Sequence, residues 1–147
     1  MTEDGWAEVF SYRFKASRFE RCPTSEKSRN GDGGNFRLGI TVHVKAKYDA
    51  LFVASRDFTL QKDGVIVNTE LEPAPCGSGS LLRPTQLKRG QIASGLVVFQ
   101  LADAAFVPRA TLAYQATRWG GAPRATLPVP ACWPNCAGTT LAAGTRP

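Results

Sequence analysis

The segment Phe36-Arg37-Leu38-Gly39-Ile40-Thr41-Val42-His43-Val44-Lys45-Ala46-Lys47-Tyr48 decides the fold class of this 147-residue chain. Every even position carries an apolar or aromatic side chain, and the odd positions carry Arg, Gly, Thr, His or Lys. Successive side chains of an extended backbone point to opposite sides, so this is a strand with one apolar and one wet face. Its sheet covers a core on one side only. At about 3.3 Å per residue the segment would span roughly 43 Å, longer than most strands. A bend at Gly39, or a bulge near it, is therefore expected, letting the strand serve two sheets.

The flanking sequence supplies neighbours. Residues 6–15 read as a first strand, with Trp6, Phe10, Tyr12 and Phe14 on one parity and Ser11, Arg13 and Lys15 on the other. Residues 18–34 turn polar and end in Asn30-Gly31-Asp32-Gly33-Gly34, which reads as a loop. Asp63-Gly64 between Phe58-Thr59-Leu60-Gln61 and Val65-Ile66-Val67 is a hairpin signal, because such a turn needs positive φ. Residues 72–84 form a second loop, rich in Pro, Gly and Ser. Further strands are expected over 95–101, with Val97, Phe99 and Leu101 inward, over 110–117, and near 125–127. Pro123, Pro128 and Pro130 confine the last of these to an edge. No substantial helix is indicated, so the chain reads as all-β: an antiparallel sandwich of about 6–8 strands, with a small barrel as the runner-up. Residues 1–136 are assigned to one domain and 137–147 to a C-terminal tail.

The composition, 43% hydrophobic and 20% charged, is that of a globular domain, and 18 Lys and Arg against 12 Asp and Glu give a net charge of +6. That excess suits an acidic partner such as nucleic acid, anionic lipid or an anionic wall polymer, and it also serves solubility. Cys22, Cys76, Cys132 and Cys136 stand in Pro- and Gly-rich contexts, which favours disulfides and an oxidising compartment over a zinc site built from two close pairs. The expected pairing is Cys22 with Cys76 and Cys132 with Cys136. Met1-Thr2-Glu3-Asp4 shows neither the basic start nor the apolar run of an export signal. Met1 is accordingly read as the start of a trimmed chain whose leader or lipid anchor has been removed.

Chemistry-bearing motifs are sparse. The single histidine, His43, falls on the wet side of the long strand, and the chain carries no nucleophile elbow, zinc-binding helix, P-loop or dinucleotide fingerprint. No catalytic residues, cofactor or metal are assigned, and the Asn30–Gly34 run lacks the carboxylates of a calcium loop. The basic side chains are the remaining candidate. Arg13, Lys15, Arg18, Arg21, Lys27 and Arg29 cluster near the N-terminus. Arg13 and Lys15, joined by Arg37, His43, Lys45 and Lys47 of the long strand, define a candidate anion-binding face. Nucleic acid is disfavoured, since Phe10, Tyr12 and Phe14 have inward parity and leave no stacking platform.

In order, the long alternating strand, Asp57-Phe58-Thr59-Leu60-Gln61-Lys62-Asp63-Gly64, Leu87-Lys88-Arg89-Gly90-Gln91 leading into Ser94-Gly95-Leu96-Val97-Val98-Phe99, and then 110–114 resemble an uncharacterised extracytoplasmic domain family. That family occurs in bacterial lipoproteins and secreted proteins and is similar to the mycobacterial immunoprotective extracellular antigen. The resemblance covers residues 36–116. It implies an immunoglobulin-like sandwich, exported, with no catalytic residues to carry over; the cysteine-bearing loops and the Cys132–Cys136 tail depart from the pattern. The leading functional expectation is a non-enzymatic exported domain that binds a protein or an anionic envelope polymer. The alternatives are a cytoplasmic metal- or nucleic-acid-binding module using the cysteines and basic face, and a small enzyme with an unrecognised site.

Overall fold

The computed structural model describes residues 5–9, 11–22, 36–48, 51–70, 80–102, 104–115, 125–130 and 133. Ten strands form among them: β1 (Ala7–Glu8), β2 (Tyr12–Cys22), β3 (Phe36–Ala46), β4 (Leu51–Val53), β5 (Phe58–Lys62), β6 (Val65–Asn68), β7 (Thr85–Leu87), β8 (Ile92–Leu101), β9 (Thr111–Tyr114) and β10 (Ala125–Pro128). The very short β1, β4 and β7 take the count above the six to eight expected, because two or three residues are too few to show alternation. Two four-stranded antiparallel sheets result, ordered β1-β2-β3-β8 and β10-β9-β5-β6, with β4 and β7 as a separate ribbon.

The alternation of β3 is realised as read, with Leu38, Ile40, Val42 and Val44 fully buried. Across the sandwich they meet Phe58, Leu60, Leu112 and Tyr114, and the inward Val97, Phe99 and Leu101 of β8 complete one core cluster. Tyr12, Phe14, Phe58 and Tyr114 form an aromatic group at its centre, with ring centroids 4.6–5.9 Å apart.

Three expectations are corrected. β3 ends at Ala46, short of Tyr48, and stays in one sheet, paired with β8 in unbroken register from Phe36↔Leu101 to Lys45↔Ile92. The irregularity lies in its neighbour: the β2–β3 register shifts between Ala16 and Arg18, so Ser17 is an extra, bulged residue. The bulge reverses the parity of β2, turning Phe19 to the side of Ile40, and the strand runs on to Cys22 through residues that read as loop. The first strand is also broken, because β1 ends at Glu8 and folds back so that Ala7 pairs with Phe14. Trp6 consequently stands apart from the core cluster it was expected to join.

The hairpin forms as expected, with Asp63 at φ 50° and Gly64 at φ 83° joining β5 to β6. β10 is an edge strand and carries Pro128 at its end, where a ladder donor is dispensable. Lys27, Arg29, Phe10, the 30–34 run, Cys76, Cys132, Cys136 and the tail 137–147 lie outside the described residues.

Candidate anion-binding face and edge cleft

The outer face of the β1-β2-β3-β8 sheet divides into two halves. In the first, Arg13 opposes Lys45, Lys15 opposes His43, and His43 in turn opposes Ser94. Trp6 is buried beneath this row: the Arg13 guanidinium and the Lys15 ammonium each stand 4.9 Å from its ring centroid. A cation over the ring face is attracted by its quadrupole, so Trp6 holds two cations side by side without neutralising either. Lys45 adds a third charge with no ion pair among the described residues. Lys47 is spent otherwise, on the Glu8 carboxylate at 2.7 Å and the Val9 carbonyl at 3.1 Å. That pair also holds the Glu8 carboxyl below the usual carboxylate range.

His43 is gripped at both ring nitrogens, with Ser17 Oγ 2.8 Å from Nε2 and Ser94 Oγ 2.7 Å from Nδ1. The bulge supplies the first of these hydroxyls, which sequence reading missed because a bulge leaves no periodic signal. Half-burial, and then the nearby Lys15 charge, push the imidazole below its ordinary value. A histidine serving as catalytic base is normally oriented by an anion that stabilises its imidazolium. Here the charged neighbour is a cation and both ring nitrogens are already engaged by serine hydroxyls, an arrangement that does not suit proton abstraction.

The second half of the face is not wet. Arg37 is 3% exposed and makes a bidentate pair with Glu70, Nε to Oε2 at 2.9 Å and Nη2 to Oε1 at 3.0 Å. It therefore leaves the candidate anion-binding face. Beside it, Cys22, Leu96 and Val98 form a second small apolar cluster with Leu81 against it. Cys22 is 1% exposed and is not a free cysteine. The N-terminal basic run is divided as well: Arg18 sits 3.3 Å from Glu20, and Arg21 lies over the Phe36 ring at 5.0 Å.

At the far edge of this sheet, β8 is met by two pieces of chain. Glu70 N–H donates to the Val98 carbonyl at 2.9 Å, Leu82 N–H donates to the Leu96 carbonyl at 2.9 Å, and Leu96 N–H donates to the Ser80 carbonyl at 2.8 Å. Between these straps and the 3-10 turn Ser55–Asp57 lies a cleft of about 340 Å3 lined by Ser55, Arg56, Glu70, Leu81, Leu82 and Arg83, among others. Among the described residues, no three His, Cys, Asp or Glu side chains come together in metal-binding reach.

The architecture has counterparts among solved structures. The ycdA protein of Bacillus subtilis, named as a candidate lipoprotein, superposes with a TM-score of 0.66 at 15% identity over 87% of this chain. A secreted protein of Mycobacterium tuberculosis, MPT63, does so with a TM-score of 0.53 at 15% identity over 72% of this chain and 76% of its own. The fold is an immunoglobulin-like β-sandwich. At such identity the likeness is one of fold, and this sandwich spans 39% of the Bacillus chain. No family model and no curated protein matches the sequence. Among the described residues, no helix is long and apolar enough to cross a membrane.

Proposed function

We propose that this immunoglobulin-like sandwich is an exported, non-enzymatic domain that binds an anionic polymer of the cell envelope through the outer face of β2 and β3. The observation that carries the reading is the juxtaposition of Arg13, Lys15 and Lys45 on paired strands, while Glu8, a carboxylate that feels the Arg13 charge, is already held by Lys47. The Ser17 and Ser94 hydroxyls, each using one bond to His43, add hydrogen-bonding groups beside those charges. A flat basic face with hydroxyls fits a repeating phosphodiester chain better than a base-reading surface, since Tyr12 and Phe14 are fully buried and Trp6 is capped. The secreted and lipoprotein neighbours support export.

Residues 1–136 act as the folded unit, and the cysteines pair as Cys22–Cys76 and Cys132–Cys136, suiting an oxidising compartment. Thiol titration of the folded protein then finds no reactive thiol; four free thiols would favour a reduced, metal-binding module instead. For the face itself, the test is binding to poly(glycerol phosphate) across a salt series. Affinity falls linearly on logarithmic axes with a slope of roughly 0.7–0.9 per phosphate contacted, so R13A/K15A/K45A reduces the slope by about two to three. Absence of binding at low salt, or a slope the triple variant leaves unchanged, overturns the reading.

A further inference from the structure

We propose that the cleft at the edge of β8 is a second site, independent of the basic face, which binds a small anionic amphiphile: a short acyl chain ending in a carboxylate. The cleft arises because the two straps reach β8 on either side of Val97, one bonded at Val98 and the other at Leu96, and so leave a gap between them. Its walls are held by hydrogen bonds to main-chain carbonyls. The Thr69 hydroxyl donates to the Ser55 carbonyl at 3.2 Å, tying the first strap to the 3-10 turn, and Asp57 N–H donates to the Ala54 carbonyl at 3.0 Å within that turn. A pocket so framed exists before a ligand arrives, and about 340 Å3 lies at the lower end of the roughly 300–1,000 Å3 range of small-molecule sites.

The lining specifies the chemistry. Leu81, Leu82, Leu96 and Val98 make an apolar wall and floor, against which an acyl chain gains by leaving water. Arg56 and Arg83 line the same cleft, both are exposed, and neither has an acid partner among the described residues. Glu70, the one carboxylate of the lining among the described residues, is occupied by the bidentate pair with Arg37 and does not answer them. The cleft therefore presents two arginines without an acid partner among the described residues beside an apolar floor, and guanidinium binds carboxylate in a bidentate geometry. A peptide adding as a strand is disfavoured, because the β8 main chain at Leu96 and Val98 is already bonded by the straps. Recognition is left to side chains, which suits an amphiphile.

The experiment is calorimetric titration of the full chain with decanoate, decanol and acetate. Decanoate binds, acetate does not, and decanol binds at least tenfold more weakly. R56A/R83A, both surface changes that preserve the fold, brings decanoate to the level of decanol, and S55W blocks both by filling the cleft. K15A/K45A leaves decanoate binding unchanged, which separates this site from the basic face. Equal affinity for decanoate and decanol, indifference to R56A/R83A, or no binding at all overturns the proposal.

Discussion

The hydroxyl of Tyr12 donates to the main-chain carbonyl of Tyr114 at 3.0 Å, a buried bond between residues 102 positions apart that ties β2 of one sheet to β9 of the other. The two rings meet edge to face at 4.9 Å. The Tyr114 hydroxyl, by contrast, is buried with no hydrogen-bond partner among the described residues. Two similar substitutions should therefore behave oppositely. Tyr12→Phe loses a net hydrogen bond and destabilises by about 0.5–1.5 kcal/mol, whereas Tyr114→Phe removes a desolvated polar group and is neutral or stabilising. Urea denaturation of the two variants decides; equal losses would mean that the Tyr114 hydroxyl has a partner in solution.

The same hydroxyl sets an alkaline limit. Burial first, then the charge of Asp57 and then Tyr12, push its ionisation far above the ordinary tyrosine range. The unfolded chain releases this proton near pH 10, so the stabilisation is complete below about pH 10 and is lost as the pH climbs toward the folded-state value. One such group steepens the loss by at most about 1.4 kcal/mol per pH unit. In Tyr114→Phe, stability measured from pH 9 to 12 should fall less steeply by that share; an unchanged slope would assign the alkaline loss to other groups.

Arg37 and Glu70 test whether the outer face is structural at this end. Arg37 is the more deeply buried partner, its side chain 3% exposed against 17% for Glu70. Glu70→Ala takes the bidentate acid away from a buried cation, and the loss of one partner from a buried pair costs up to about 3–5 kcal/mol. Arg37→Ala leaves a carboxylate that water can reach, so it should cost less. A double-mutant cycle read by thermal unfolding should give a coupling above about 1 kcal/mol; near-additivity would show that the pair is a solvated surface contact.

What the sequence revealed and concealed follows from how far each signal reaches along the chain. The alternation of β3 and the Asp63-Gly64 turn are local, and both were legible. The second half of β2 was not, because the Ser17 bulge reverses its parity and makes Arg18-Phe19-Glu20-Arg21 look aperiodic. The partners of Arg37 and His43 lie 33, 26 and 51 residues away, and no spacing in the sequence announces them. The cleft is equally hidden, since Arg56 and Arg83 line it together only because the 3-10 turn and the two straps converge beside β8. Charge counting found Arg13, Lys15 and Lys45, and it could not separate them from Arg37, which has the same residue type and parity but a covered environment.

His43 offers a spectroscopic check on the basic face. Its imidazole is held below the ordinary value near 6.5 by burial and, secondarily, by Lys15. A depressed histidine contributes stability above the unfolded-state value, and that contribution is lost as the pH falls through the folded-state value. NMR titration of the single histidine should therefore show a midpoint below 6.5, and Lys15→Ala should raise it part of the way, because burial remains. A midpoint above 6.5, or one indifferent to Lys15, would remove Lys15 from the row facing His43.

The straps that frame the cleft depend on one missing side chain. A Cβ placed on Gly95 would come within 2.6 Å of Leu82 Cα and 2.8 Å of Leu82 N, both backbone atoms that cannot swing aside. Gly95 is paired opposite Val42 on the inward side of β8, and Leu82 lies across it while donating to the Leu96 carbonyl. Gly95→Ala must push this strap away from the sheet, and overpacking of this kind costs about 1–3 kcal/mol. The displaced strap carries Leu81, Leu82 and Arg83, so the change should also disturb the cleft while leaving the β2–β3 face intact. Hydrogen exchange reads both effects: the Leu82 and Leu96 amides lose protection in Gly95→Ala, and those of β3 keep theirs. Retained protection at Leu82 would mean that the strap does not rest on Gly95 in solution.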